Sequence, residues 1–162
     1  MALGRSAAEI AAPADSVMFC ISKGLGAPAG SLLCGSGDFI AEARRVRKLL
    51  GGGMRQAGIL AACGLHALEH NIDRLAEDHA NARALGEALA FFPGLRVRPW
   101  PVATNMVYLD LPGTRPEAPG LILEALRSQG ILALRVGAGL RFVFPKDAAG
   151  DKARSAIPEI LR

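Results

Sequence analysis

Aromatic residues and cysteines are scarce in this chain of 162 residues, and it has no long apolar run. Aromatic residues make up 5% of the sequence while 51% of it is hydrophobic, so the core must be built mainly from aliphatic side chains. The 3 cysteines are odd in number and form no Cys-x-x-Cys pair, which disfavours a disulfide framework. No segment approaches the roughly 18 consecutive apolar residues that a membrane-spanning helix needs.

Charge of one sign is only slightly in excess. Lysine and arginine number 19 against 15 acidic residues, a net charge of +4, and several of the cations cluster over residues 44–48. Nucleic acid is one interpretation of such a cluster, but a solvated helix face or a pocket for a small phosphate fits better. We therefore expect no nucleic-acid partner. The first residues lack the apolar core of a signal peptide, and we expect a reducing, cytoplasmic location.

The pattern of apolar residues predicts alternating strands and helices. The unbroken apolar run over residues 17–21 is typical of a strand covered on both faces in a parallel or mixed α/β sheet. Composition changes after residue 93, so we predict one domain over 1–93 and a small α+β domain over 94–162. The predicted helices cover 6–12, 38–50, 54–71, about 75–92, 120–129 and 148–161, and the predicted strands cover 15–21, 29–34, a short stretch at Val97, 104–111, 131–136 and 140–144.

Lys23 is the first candidate for a catalytic residue. A buried strand that ends in Ser22-Lys23-Gly24 would deliver one amine to a sheet edge, where a lysine can form a Schiff base with a carbonyl compound. The alternative is an ordinary lysine at the end of a strand, and composition alone does not decide between the two.

Lys48 and Arg55 flank the triple glycine of residues 51–53. Backbone amides at the start of the following helix attract anions, so a phosphate or carboxylate could bind there between two cationic side chains. The alternative is a loop between helices flanked by ordinary surface charges, which these residues alone favour.

Arg141 lies in the predicted hairpin over residues 131–144. If residues 137–139 form the loop in simple register, Arg135 and Arg141 lie opposite each other, and an anion would be needed to offset their repulsion. A one-residue bulge would instead move Arg135 to the other face. His66 and His70 share a helix face at a spacing that can hold a metal, but without a third ligand we interpret them as surface or interface residues and expect no metal site.

Two longer segments carry a family resemblance. Residues 16–28 (SVMFCISKGLGAP) closely resemble the cofactor-lysine segment of low-specificity L-threonine aldolases, and residues 50–58 (LGGGMRQAG) are similar to that family's second motif. Residues 73–82 and 104–107 resemble further family segments in the same order. The resemblance covers essentially the whole chain.

The resemblance implies a pyridoxal-phosphate enzyme of the aspartate-aminotransferase-like fold (fold type I) that cleaves L-threonine or L-allo-threonine into glycine and acetaldehyde. It implies that Lys23 bonds covalently to pyridoxal phosphate and that Arg141 binds the substrate α-carboxylate. Lys48 and Arg55 match basic residues that reach an active site at a subunit interface near the cofactor phosphate. A homo-oligomer, a dimer or tetramer, is implied for the intact form.

The chain also departs from the family pattern. Phe144-Pro145 stands where the family usually has a Thr-His pair, and the family's N-terminal half, with the acid partner of the pyridine nitrogen and the phosphate clamp, has no counterpart here. We therefore expect a C-terminal part of a fold type I subunit that binds the cofactor poorly by itself. The alternatives are a non-catalytic chain that retains only folding and association surfaces, or another fold type I lyase or aminotransferase, which the two motifs disfavour.

Overall fold

The structure is a computed structural model that describes residues 1–148 and 150–161, without the side chains of 151–154. The chain divides into two compact units between Arg74 and Leu75. This division lies before the helix that begins at Leu75, whereas the predicted domain boundary lay after residue 93. The difference has a physical reason, because Leu85 and Leu89 of that helix are fully buried in the core of the second unit.

Twelve helices and strands are formed by the described residues. Those of the first unit are α1 (Ala7–Ala11), β1 (Ser16–Cys20), β2 (Ser31–Gly35), α2 (Gly37–Leu49) and α3 (Gly58–His70). Those of the second unit are α4 (Leu75–Leu89), β3 (Arg96–Arg98), β4 (Met106–Asp110), α5 (Ala118–Ser128), β5 (Leu134–Val136), β6 (Gly139–Val143) and α6 (Gly150–Ile160).

The two strands of the first unit form an antiparallel hairpin, with Met18 opposite Leu33. The prediction of a strand buried on both faces was wrong for the described residues, since Met18 is 62% exposed and Leu33 is 45% exposed. The loop over residues 21–30 reverses the chain, which makes the two strands direct antiparallel neighbours instead of parallel ones. The apolar run is present as predicted, but no described element covers both of its faces.

Local capping interactions set the ends of the two longer helices of the first unit. The Ser36 hydroxyl accepts a hydrogen bond from the Phe39 amide at 3.3 Å and begins α2, as N-cap serines do. The helix ends at Leu49, and Gly51 just beyond it has a φ of +84°, the left-handed conformation common just after a helix. The next helix, α3, begins later than predicted because Gln56 has a φ of +51°, which no α-helix accommodates.

The second unit is built on a four-stranded antiparallel sheet in the order β3-β4-β6-β5. Helix α4 packs on β4 and on α6, and α5 packs on β5 and α6. The core is mainly aliphatic, as the composition predicts. Its buried residues are Ala82, Leu85, Leu89, Val97, Val102, Val107, Leu109, Leu111, Leu126, Leu140, Phe142, Phe144 and Ile157.

Candidate active site

Lys23 lies in the loop between β1 and β2, not at the end of a buried strand. Its side chain is exposed, and its carbonyl oxygen accepts a hydrogen bond from the Gly26 amide at 2.9 Å. Two further backbone hydrogen bonds close the loop, from Ala27 to the Ile21 carbonyl at 3.0 Å and from Ile21 to the Gly30 carbonyl at 3.2 Å. The backbone at Lys23 is therefore fixed while its amine stays accessible to solvent.

Helix α3 holds this loop in place through a small buried cluster. Ile21 and Ala27 pack with Ala67 of α3, and all three are almost fully buried. The approach is close, because a Cβ added at Gly64 would lie 2.9 Å from Cδ1 of Ile21. A glycine at this point of α3 thus lets the helix lie directly against the residue two positions before Lys23.

Asn71 adds a polar contact to the same loop. Its side-chain amide donates a hydrogen bond of 2.6 Å to the carbonyl oxygen of Leu25, and the residue is only 6% exposed. Sequence reasoning missed Asn71. The available signal was an asparagine directly after an apolar helix, a position where this residue often ends helices.

Lys48 lies in the last turn of α2, beside the triple glycine. The Gly51 amide donates to the Lys48 carbonyl at 3.1 Å and the Gly52 amide donates to the Arg47 carbonyl at 2.8 Å, the two hydrogen bonds of a Schellman motif. The Lys48 side chain folds back over Gly53, where an added Cβ would lie 2.9 Å from Cδ and 3.2 Å from Nζ. The glycines therefore give the Lys48 ammonium a defined position next to exposed backbone.

Arg55 is exposed in the turn that leads into α3. Within the described part of the first unit, no hydrogen bond or ion pair joins Lys23, Lys48 and Arg55 to one another. The three cations are thus presented on separate segments: Lys23 on the β1–β2 loop and Lys48 at the end of α2, both held by backbone hydrogen bonds, and Arg55 on the turn before α3. Arg141 belongs to the second unit.

Arg141 occupies the middle of the second unit's sheet. It lies on β6, opposite Tyr108 of β4 on one side and Leu134 of β5 on the other. Its Nε is buried and has no hydrogen-bond partner among the described residues. A buried guanidinium donor without a partner is costly, and an anionic ligand is a direct way to satisfy it.

Arg135 does not share that position. It lies on the other face of the sheet, which is the alternative that the sequence left open, so no anion is needed between the two arginines. The turn contains two residues, Gly137 and Ala138, and Gly139 already belongs to β6, so that Arg135 lies opposite Leu140. The Arg135 guanidinium donates to the Gly137 carbonyl at 3.1 Å and to the Pro116 carbonyl at 3.2 Å. A φ of +59° at Gly137 suits the first position of a two-residue hairpin turn.

A second arginine of this sheet is fully paired. The Arg98 guanidinium donates to both carboxylate oxygens of Asp110, at 2.5 and 2.8 Å, and lies 5.9 Å from the centre of the Tyr108 ring. This hydrogen bonding lowers the pKa of Asp110 below its ordinary value. Arg98 therefore has its anion already, which distinguishes it from Arg141.

The described residues offer neither a membrane span nor a metal centre of three side chains. None of the described helices is both long and apolar enough to span a membrane. Over residues 1–148 and 150–161, no three histidine, cysteine or acidic side chains come together as ligands of one metal ion.

Comparison with known proteins assigns the class. The beta-eliminating lyase family model matches residues 1–112, and the chain belongs to this family. The low-specificity L-threonine aldolase 1 of Arabidopsis thaliana is 46% identical over 136 residues, which cover 83% of this chain and 38% of that protein. A low specificity L-threonine aldolase of Escherichia coli K12 is 54% identical over 89 residues, 55% of this chain and 27% of that protein.

A solved structure supports the fold. A protein from Exiguobacterium named as an aromatic amino acid beta-eliminating lyase/threonine aldolase superposes with a TM-score of 0.81 at 24% identity, over 99% of this chain and 48% of that one. The predicted membership of fold type I is confirmed. The chain spans less than half the length of the relatives that it matches.

Proposed function

We propose that this chain carries the lysine and the carboxylate-binding arginine of a threonine aldolase, which cleaves L-threonine or L-allo-threonine to glycine and acetaldehyde. The observation that carries the proposal is the buried, unpartnered Nε of Arg141. An amino-acid substrate brings an α-carboxylate, which accepts charge-assisted hydrogen bonds from a guanidinium more strongly than a neutral acceptor would.

Family membership implies pyridoxal phosphate as the cofactor, and the cations of the chain fit such a group. Lys23 offers an accessible amine on a braced loop for the covalent bond to the cofactor aldehyde. The Lys48 ammonium, held over Gly53, and the exposed Arg55, which follows the triple glycine in sequence, offer positive charge for its phosphate. When bound, the cofactor supplies an electron sink for the electron pair released at the substrate Cα.

The chain's own contribution to the reaction is orientation and charge. By fixing the α-carboxylate, Arg141 determines which bond at Cα is broken, and in an aldolase that bond is Cα–Cβ. The β-hydroxyl loses its proton as acetaldehyde leaves, and Cα gains a proton to give glycine, so the atoms balance. We also propose a homo-oligomer, since Lys48 and Arg55 match residues that reach an interface in the family.

A chimera tests this function directly. In it, this chain replaces the matching segment of the Arabidopsis relative, and acetaldehyde release from L-threonine and L-allo-threonine is measured. We expect an active chimera that loses all measurable activity with Lys23→Ala. Arg141→Lys keeps the charge but not the fork of donors, and we expect it to raise KM for threonine about tenfold or more with a smaller change in kcat.

Lys146→Ala is the matched control, since it removes an exposed cation close to Arg141 in sequence. It should leave KM within about twofold of the unmodified chimera. An inactive chimera that is correctly folded, or an active one that is indifferent to Lys23→Ala, would contradict the proposal and favour a chain that serves only in association. The exposed apolar hairpin of the first unit is the observation that favours this second candidate.

A further inference from the structure

His66 and His70 form an exposed pair of imidazoles on α3. Their ring centroids are 4.5 Å apart and their planes are inclined by 47°. The His70 side chain is 59% exposed, and His66 is exposed as well. The sequence alone led us to expect no metal site here, but on the observed ring geometry we propose that this pair is a two-nitrogen site for a divalent transition-metal ion that prefers tetragonal coordination, Ni²⁺ or Cu²⁺.

The packing of α3 fixes the direction of the pair. Gly64 and Ala67 are the buried residues of the helix, and they face the loop that carries Lys23. His66 and His70 therefore lie on the solvent side, one turn apart, and the helix backbone keeps their spacing constant. Two histidines at this spacing on one helix face are a known arrangement for binding a metal ion.

The distance between the rings favours one coordination angle. With a metal–nitrogen bond of about 2.1 Å and about 1.2 Å from the nitrogen to the ring centre, each centroid would lie roughly 3.3 Å from a shared ion. If each ring directs a nitrogen at that ion, the observed 4.5 Å between the ring centroids corresponds to a nitrogen–metal–nitrogen angle near 90°. That angle is typical of square-planar or octahedral Ni²⁺ and Cu²⁺, whereas tetrahedral Zn²⁺ needs a wider one.

The surroundings of the pair also favour a metal ion whose remaining coordination positions are filled by water. The Glu69 carboxylate lies 3.9 Å from Nε2 of His70, so negative charge adjoins the pair without adding a third ligand. Water would complete the coordination, which Ni²⁺ and Cu²⁺ accept more readily than a structural Zn²⁺ site does. Affinity for nitrogen ligands also rises along the divalent series to a maximum at Cu²⁺.

Isothermal titration of the full chain with Ni²⁺ tests the site. We expect one ion per chain, and a loss of affinity of about tenfold or more in His66→Ala and in His70→Ala, because one imidazole cannot chelate. His79→Ala is the matched control, since His79 is the third histidine and lies on α4; it should leave the affinity unchanged. Circular dichroism checks that each variant keeps its helix content.

Three further measurements test which side chains bind the ion and which metal the site prefers. A double variant, His66→Ala with His70→Ala, defines the background from the α-amino group and other donors. Cys63 lies one turn before His66, and Cys63→Ser should bind Ni²⁺ as tightly as the unmodified chain; an equal loss there would overturn the two-imidazole assignment. Zn²⁺ that binds more tightly than Ni²⁺, or single histidine variants with unchanged affinity, would overturn the proposal.

Discussion

The side-chain amide of Asn71 donates a hydrogen bond of 2.6 Å to the carbonyl oxygen of Leu25, two residues after Lys23. This contact joins the end of α3 to the loop that carries the candidate cofactor lysine. Since Lys23 is exposed, its side chain is not held by packing. Its position depends on the backbone of the loop, and therefore on Asn71 and on the buried cluster around Ile21.

Asn71→Ala should loosen the Lys23 loop. The change leaves the Leu25 carbonyl without its partner, which typically costs about 1–3 kcal/mol for a buried group. We expect faster hydrogen exchange at the amides of Gly26 and Ala27, both of which donate within this loop. The exposed neighbour His70→Ala serves as the control and should leave these exchange rates unchanged. Equal protection in Asn71→Ala and the parent chain would show that the hydrogen bond does not hold the loop.

Gly64→Ala tests the close approach between α3 and Ile21. Alanine raises helix propensity by up to about 1 kcal/mol, but its Cβ would lie 2.9 Å from Cδ1 of Ile21, and overpacking costs about 1–3 kcal/mol. We expect net destabilisation in urea unfolding. Ile21→Val removes Cδ1 and with it the clash. The double variant should therefore be more stable than the sum of the two single changes in unfolding free energy predicts.

Gly58→Ala on the same helix is the comparison for that experiment. A Cβ at Gly58 meets nothing within 4 Å, so this change should not destabilise the chain. If Gly64→Ala behaves like Gly58→Ala and shows no coupling to Ile21→Val, then α3 and Ile21 are not in tight contact.

The sequence predicted the helices better than the sheets, for reasons visible at particular residues. The apolar pattern over about residues 75–92 correctly indicated a helix, and its Leu85 and Leu89 are buried, because a period of 3.6 residues directly reports a buried face. The start of α3 was misplaced because Gln56 has a left-handed conformation that its residue type does not signal. The burial of β1 was misjudged because an apolar strand reads the same whether or not another element covers it.

The candidate site was predictable in part. Lys23, Lys48, Arg55 and Arg141 follow from motifs, and their roles remain proposals. The separation of Arg135 from Arg141 depends on whether the turn has two or three residues, and a difference of one residue reverses every side chain of the strand. The Asn71 contact joins residues far apart in sequence, which local patterns do not reveal.

The ion pair between Arg98 and Asp110 should make the folding stability depend on pH in acidic solution. Hydrogen bonding to Arg98 lowers the pKa of Asp110 in the folded state below its ordinary value of 3.8. A lowered folded pKa means that the pair contributes fully above the unfolded pKa and that its contribution disappears as pH falls through the folded one. As the pH is lowered below about 3.8, we expect the melting temperature of the parent chain to fall by more than that of Asp110→Asn, which lacks this carboxylate.

Because Arg98 is exposed and Asp110 is partly exposed to solvent, this effect should be small and should shrink further at high salt. Glu159→Gln is a suitable control, since it removes an exposed carboxylate of the same unit. A parent chain and an Asp110→Asn variant with parallel acid profiles would show that the pair contributes nothing to stability.

The isolated chain should bind pyridoxal phosphate weakly and cleave threonine negligibly. A lysine that forms a Schiff base readily is activated by desolvation or by a neighbouring cation, yet Lys23 is exposed and is not joined to Lys48 or Arg55 by any described contact. Absorption spectra of the chain mixed with pyridoxal phosphate, followed by borohydride reduction and peptide mapping, measure where the cofactor attaches. We expect labelling spread over the lysines of the chain, with Lys23→Ala removing no more than the share of one lysine. Selective labelling of Lys23 together with acetaldehyde release would instead show that residues 1–162 already contain a working pocket, and that the braced loop alone is enough to activate the amine.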